Sequence, residues 1–262
     1  MIYTFSGTGN TCHVADLLAS ILGMQVHRFT AAELRSPATA RMPEDSDKRV
    51  IWAFPTYSWG VPPVVRRIIA RASLNCLSDA VHIAVTTCGD DIGHLPEMFR
   101  RDIRRRGLTP GAVFSVQMPN TYVMMKGFDV DAENVARLKI QHSRAAVENI
   151  AMAISSGKVS PKDDIVVRGK FGWLKTRVVY SYFVRFEMSP KGFRVDSGRC
   201  IACGKCRNAC PMNNVTTDAD GRPVWGDKCA FCTACYHVCP VHAISWKKTT
   251  LDKGQVRYFL SR

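Results

Sequence analysis

The strongest constraint on how this chain folds lies near its end. CIACGKCRNACP (200–211) and CAFCTACYHVCP (229–240) share the spacing C-x2-C-x2-C-x3-C-P, 29 residues apart, and hold eight of the eleven cysteines. Each run is followed by an aliphatic residue, Val215 or Ile244, five positions past its last cysteine, and Asp220-Gly221 between them signals a turn. One small supersecondary unit is therefore used twice. Disulfides would suit such crowding in a short secreted chain. Here Met1 is followed at once by a strand-like run, with no basic n-region or cleavage site, so the cytoplasm is expected and the thiols read as metal ligands.

Three closely spaced thiolates can cap three irons of one cubane from a single loop, while the fourth, on the next turn, reaches the cluster of the twin run. On that reading Cys200, Cys203, Cys206 and Cys239 hold one [4Fe-4S] cluster, and Cys229, Cys232, Cys235 and Cys210 hold the second. Paired C-x2-C elements also bind zinc, but two identical four-cysteine runs, each closed by proline, make zinc the weaker reading. Residues 193–246 resemble the two-cluster bacterial-type ferredoxins, and the resemblance implies passage of single electrons between closely placed clusters. Cys12, Cys76 and Cys88 lie outside the pattern and read as small buried hydrophobes.

Residues 1–155 alternate strand and helix patterns. Apolar runs at Met1-Phe5, Met24-Phe29, Val50-Phe54, Val81-Thr86 and Ala112-Val116 read as buried strands, and Thr11-Leu22, Pro63-Ser73, Leu95-Arg106 and Ala132-Ser155 as helices. That order implies a parallel sheet covered on both faces, with ligands at the carboxyl ends of its strands. SGTGNT (6–11) sits at that end of the first strand. It lacks the lysine of a Walker A loop and the third glycine of a dinucleotide loop, which disfavours a nucleoside triphosphate or dinucleotide. The hydroxyls of Ser6, Thr8 and Thr11, with Gly7, Gly9, Asn10 and the amides opening a helix, suit a terminal phosphate monoester.

This loop resembles the flavodoxin phosphate loop, [ST]-x-T-G-x-T, throughout. The resemblance implies a five-stranded parallel sheet of order 2-1-3-4-5 and FMN as cofactor, its ring held by two further loops. PTYSWGVPP, after the third strand, offers Thr56, Tyr57, Trp59 and Gly60; TCGDDIG, after the fourth, offers Thr87, Cys88 and Gly89 but no aromatic residue. MPNTYV (118–123) follows the fifth strand, where Asn120 and Tyr122 could close over a flavin.

Residues 156–192 form a basic, partly helical connector around FGWLKTRVVYSYFVRF (171–186). Phe171, Leu174, Val178 and Tyr182 make one helical stripe and Val179, Phe183 and Phe186 a second. A helix packed between domains is expected; the other reading is a membrane-surface or partner-docking helix, helped by Lys170, Lys175, Arg177 and Arg185. RRDIRRR (100–106) has no interleaved aromatics and reads as a solvated helix face. Three segments result: a flavodoxin-like FMN domain over 1–155, the connector, and a two-[4Fe-4S] ferredoxin domain over 193–262 with a basic tail ending near Arg257-Tyr258.

Thirty-six basic residues against twenty-two acidic give +14. Two clusters with their thiolates subtract about four charges and a flavin phosphate about two, leaving about +8. That balance favours an acidic redox protein as partner over nucleic acid. No run approaches the roughly 18 to 20 apolar residues of a membrane span, although peripheral association stays open; the oligomeric state is not legible. As a whole the chain resembles flavodoxin-ferredoxin fusion proteins, found mostly in anaerobes. The resemblance implies electron transfer between FMN and the clusters, converting between two-electron and one-electron carriers. The competing reading is a flavin-dependent reductase of a small substrate fed by the clusters, with His94, Asp90 and Asp91 as proton-donor candidates, although no catalytic Ser-His-Asp or carboxylate pair is legible.

Overall fold

The computed structural model describes residues 1–40, 42, 48–256 and 258; Arg257 of the expected tail lies outside them. Five strands, β1 (Ile2–Thr4), β2 (Val26–Arg28), β3 (Arg49–Pro55), β4 (Val81–Cys88) and β5 (Thr109–Gln117), form one parallel sheet in the order β2-β1-β3-β4-β5. Register runs from Ile2 opposite both Val26 and Ile51, through Trp52 opposite Ala84, to Val85 opposite Phe114. Helices α1 (Asn10–Leu22), α2 (Ala31–Arg35), α3 (Pro63–Arg71), α4 (Leu95–Arg104) and α5 (Glu133–Ser155) fill the connections.

The strands are apolar on both sides because both sides are covered. Ile51, Ala53, Ile83 and Val85 pack under α1 and α5, while the alternate residues Val50, Trp52, Phe54 and Ala84 pack under α3 and α4. Trp52 and Phe54 are wholly inside, each contributing about 1.5–3 kcal/mol by burial. The short α2 was not expected; it owes its existence to a capping box between Thr30 and Glu33.

RRDIRRR is only in part the solvated face expected of it: Arg101, Arg104 and Arg105 are exposed, but the rest of the run turns inward. Arg100 and Asp102 are buried, Arg100 pairing with Asp164 and Asp102 with Arg66. Arg106 donates to the carbonyls of Ile69 and Ala72 at the end of α3. These charges fasten α4 to its neighbours.

The cysteine half contains two antiparallel ribbons. β6 (Phe193–Val195) pairs with β9 (Ile244–Trp246), and β7 (Val215–Thr217) with β8 (Pro223–Trp225). The aliphatic residue after each cysteine run opens a strand, and Gly221 makes the turn between β7 and β8 at φ 76°. Between the halves, residues 172–187 form one continuous helix in which α turns at Gly172–Leu174 and Tyr180–Tyr182 alternate with π turns at Lys175–Val179 and Phe183–Glu187. No helix among the described residues is long and apolar enough to cross a membrane.

The halves share one core. Met212 and Ala230 of the cysteine half belong to the cluster that includes Trp52 and Phe99, and Cys210 and Cys232 pack against it. Phe183 of the connector joins Phe231 and Trp246 in the core of the cysteine half.

Candidate functional site

The loops after β1, β3, β4 and β5 meet at the carboxyl edge of the sheet and form a half-open cleft lined by Ser6, Gly7, Thr8, Asn10, Thr11, Thr56, Tyr57, Thr87, Cys88 and Gly89, together with Asn120 and Tyr122. Gly9 stands behind this wall, opening α1 from the left-handed region at φ 96°. The first turn of α1 has no side-chain cap and no acidic residue, which leaves its positive end toward the cavity. Asn10 Nδ2 donates to Pro119 O at 2.9 Å and the Thr11 and Thr87 hydroxyls meet at 2.8 Å, so these two side chains also tie the loops together.

A second, half-open chamber continues outward past Tyr57, Trp59, Asp90 and Asp91. Tyr57 and Gly60 exchange two backbone hydrogen bonds of 2.9 Å, which puts Ser58 (φ 44°) and Trp59 (φ 62°) in a left-handed turn. Two non-glycine residues in that region are strained unless held from outside. The connector helix holds them: Thr176 Oγ1 donates to Trp59 O at 2.7 Å, and Lys175 Nζ lies 4.9 Å from the Trp59 ring. Gly60 was expected to approach a flavin. It instead lets the Tyr180 ring in, since a Cβ there would stand 2.4 Å from Tyr180 Cδ2. Tyr180 in turn donates to Val61 O at 2.7 Å.

The missing aromatic of the TCGDDIG loop is replaced from distant segments. Tyr122, Phe128, Phe183 and Phe231 line the outer chamber, Tyr122 lying edge-on to both Phe128 and Phe183 with centroids 5.7 Å apart. Of the proton-donor candidates, Asp90 and Asp91 border this chamber, with Asp91 held by Lys175 at 2.7 Å. His94 lies outside it and lines a separate cleft with Arg66, Arg101 and Trp173.

Three buried polar atoms at this site, Asn10 Oδ1, Tyr57 OH and Tyr122 OH, have no hydrogen-bond partner. Buried polar atoms are seldom left unpaired, and three at one cavity mark the place of a polar ligand. Burial, then Cys232 and Cys229, holds the Tyr57 hydroxyl far above its ordinary pKa, so it stays a donor. Burial, followed by Asp91 and Asp90, pushes the Cys88 thiol up to about 12. Cys88 is thus an inert wall residue.

The eight cysteines of the repeat fall into two sets that cross between the runs. Cys200, Cys203, Cys206 and Cys239 border one small cavity. Besides burial, the groups that raise the Cys206 thiol are Cys203 and Cys239; those that raise Cys235 are Cys232, Cys229 and Cys210. The backbone repeats too: Asn214 N donates to Cys210 Sγ at 3.3 Å and Ala243 N to Cys239 Sγ at 3.2 Å, four residues on in each case. Burial, opposed by the Phe231 amide, leaves Cys229 at about 11, so ionised sulfurs there need a cationic partner. Among the described residues no three ligand-type groups converge closely enough to hold a single metal ion.

The two sites adjoin. Cys232 lines both chambers beside Tyr57 and Asn120, and its Cβ is pressed against Gly7. Nothing in the spacing of either motif announces this contact; only the fold brings residues 7 and 232 together.

Residues 193–246 match the family model described as the 4Fe-4S dicluster domain. No curated protein matches the chain. Solved structures similar to it include the Trp repressor binding protein of Bacillus subtilis, at 14% identity and TM-score 0.38, covering 57% of this chain and 96% of that one. Another is the NAD(P)H:quinone oxidoreductase of Methanothermobacter marburgensis, at 12% identity and TM-score 0.36, covering 57% and 92%. A third is the rubredoxin oxygen:oxidoreductase of the anaerobe Desulfovibrio gigas, at 18% identity and TM-score 0.34, covering 59% of this chain and 35% of that one. The strand order, not these likenesses, establishes the fold: a flavodoxin-like sheet joined to a 4Fe-4S dicluster domain.

Proposed function

We propose that the protein is an iron-sulfur flavoprotein in which electrons pass between FMN and two [4Fe-4S] clusters within one polypeptide. The observation that carries this reading is the place of Cys232, which belongs to one cysteine set and lines the cavity behind the SGTGNT loop. Bound flavin exchanges electrons in pairs or singly whereas a cluster exchanges one, so the pairing suits conversion between the two kinds of carrier.

The loop from Ser6 to Thr11 and the uncapped start of α1 would hold the phosphate, with Tyr57 and Trp59 beside the ring. Cys210, Cys229, Cys232 and Cys235 would hold the inner cluster. Cys200, Cys203, Cys206 and Cys239 would hold the outer one. There Cys203 and Ile201 are exposed beside Arg199, Lys205 and Arg207, a basic patch complementary to an acidic redox protein.

Anaerobic purification followed by iron, sulfide and flavin analysis tests the reading. About eight iron, about eight sulfide and about one flavin per chain are expected. The full iron complement without flavin would leave an iron-sulfur protein carrying an empty sheet domain. Thr8→Glu places a carboxylate where the phosphate would sit and should expel flavin while iron is retained; loss of both together would contradict two separate sites.

A further inference from the structure

The connector helix is engaged on one side and bare on the other. Thr176, Tyr180 and Phe183 are buried against the sheet domain and the cysteine half, whereas Phe171 (77% exposed), Trp173 (56%), Leu174 (48%), Val178 (52%), Tyr182 (53%) and Phe186 (59%) face outward. The π turns explain why the face stays continuous. An α turn holds 3.6 residues and a π turn more, so in the alternating helix positions four apart keep one direction instead of winding away. Leu174, Val178, Tyr182 and Phe186 are such a series. The two expected stripes thus have different fates: the first is exposed, Phe183 of the second is buried, and Phe186 crosses to the exposed side.

The charge around this face has one sign. Between Asp164 and Glu187 there is no acidic residue; Arg168 and Lys175 are paired with Glu97 and Asp91 from other elements, and Lys170, Arg177 and Arg185 are the exposed cations that remain. Arg177 and Arg185 lie over the rings of Trp173 and Phe186, at 5.8 and 5.5 Å, so cations rim the aromatic surface. The Ser181 hydroxyl is turned inward onto Arg177 O at 2.7 Å. A protein partner of ordinary size would form roughly one hydrogen bond per 100–200 Å²; besides the arginines this face offers the Trp173 indole N–H and the Tyr182 hydroxyl, the amphipathic rings that also suit a membrane interface. Headgroups and acyl chains ask for what is present: aromatic and aliphatic side chains for the interface and cations for lipid phosphate.

We infer that this face seats the protein on a membrane surface carrying anionic lipid. The helix lies in the interface plane and does not span, and the inference is independent of the cofactor assignment.

The test is flotation of the holoprotein with phosphatidylcholine vesicles, with and without phosphatidylglycerol. Flotation is expected only with phosphatidylglycerol. Arg177→Gln and Arg185→Gln should each weaken partition about fivefold. Trp173→Ser combined with Phe186→Ser should abolish flotation while iron and flavin contents are unchanged. Failure to float with either vesicle, or undiminished flotation of the arginine variants, would overturn the inference. So would binding of an acidic electron-carrier protein that the double variant loses, without flotation, which would assign the face to a protein.

Discussion

Gly7 and Cys232, 225 positions apart in sequence, are in direct contact: a Cβ on Gly7 would stand 2.4 Å from Cys232 Cβ and 2.9 Å from its carbonyl oxygen. The glycine serves the close approach of two chains from different halves of the molecule, so the proposed phosphate loop and the proposed cluster loop share a wall.

Gly7→Ala therefore forces the halves apart where they should be closest. Overpacking of this kind costs about 1–3 kcal/mol. The expected outcome is a lower thermal unfolding midpoint together with reduced flavin content; an unchanged midpoint and full flavin would show that the contact is dispensable.

Asp164 anchors the start of the connector. It pairs with Arg100, itself buried, and accepts from Val113 N at 2.8 Å. Asp164→Ala leaves a buried guanidinium with only the carbonyls of Gly111 and Pro161 and no counter-charge, and takes the acceptor from the Val113 amide; it should cost about 3–5 kcal/mol in urea unfolding. A loss below about 1 kcal/mol would mean that the pair behaves like a surface ion pair.

His82 sits inside the sheet domain with both ring nitrogens committed. Nδ1 accepts from Trp52 Nε1 at 3.0 Å and Nε2–H donates to Leu77 O at 3.1 Å, so the ring is neutral. Burial lowers its pKa below the ordinary 6.5. The unfolded chain therefore takes up the proton first: the contribution is complete above about pH 6.5 and is lost as the pH falls below it. Unfolding free energies of wild type minus those of His82→Gln should be constant above that pH and fall below it, by at most about 1.4 kcal/mol per pH unit. A flat difference would mean that the ring takes up its proton in the folded protein as readily as in the unfolded chain, and that burial with the Trp52 and Leu77 bonds does not hold it neutral.

The sheet was legible because each strand is a short apolar run between turn signals and each long helix keeps its period. The dicluster domain was legible because one fixed cysteine spacing occurs twice. Contacts between segments distant in sequence were not. Gly60 reads as a ligand-approach glycine until the Tyr180 ring is seen in its place, and Arg100 and Asp102 read as surface charge until their partners Asp164 and Arg66 arrive from other elements. The helical period of the connector was visible, but not the π turns that turn Phe186 to the outside. Cys232 was named for its sulfur; that it also walls the proposed flavin cavity depends on how the two halves dock.

The most direct test of the central claim is the rate law of internal electron transfer. Anaerobic holoprotein is given a pulse of about one electron per molecule through its flavin, and cluster bleaching is followed over a range of protein concentrations. With Cys232 against the phosphate loop, bleaching should be first order, with a rate constant independent of concentration and altered by Cys232→Ser. Bleaching that is absent, or whose rate constant rises in proportion to protein concentration, would contradict transfer between adjoining sites of one chain.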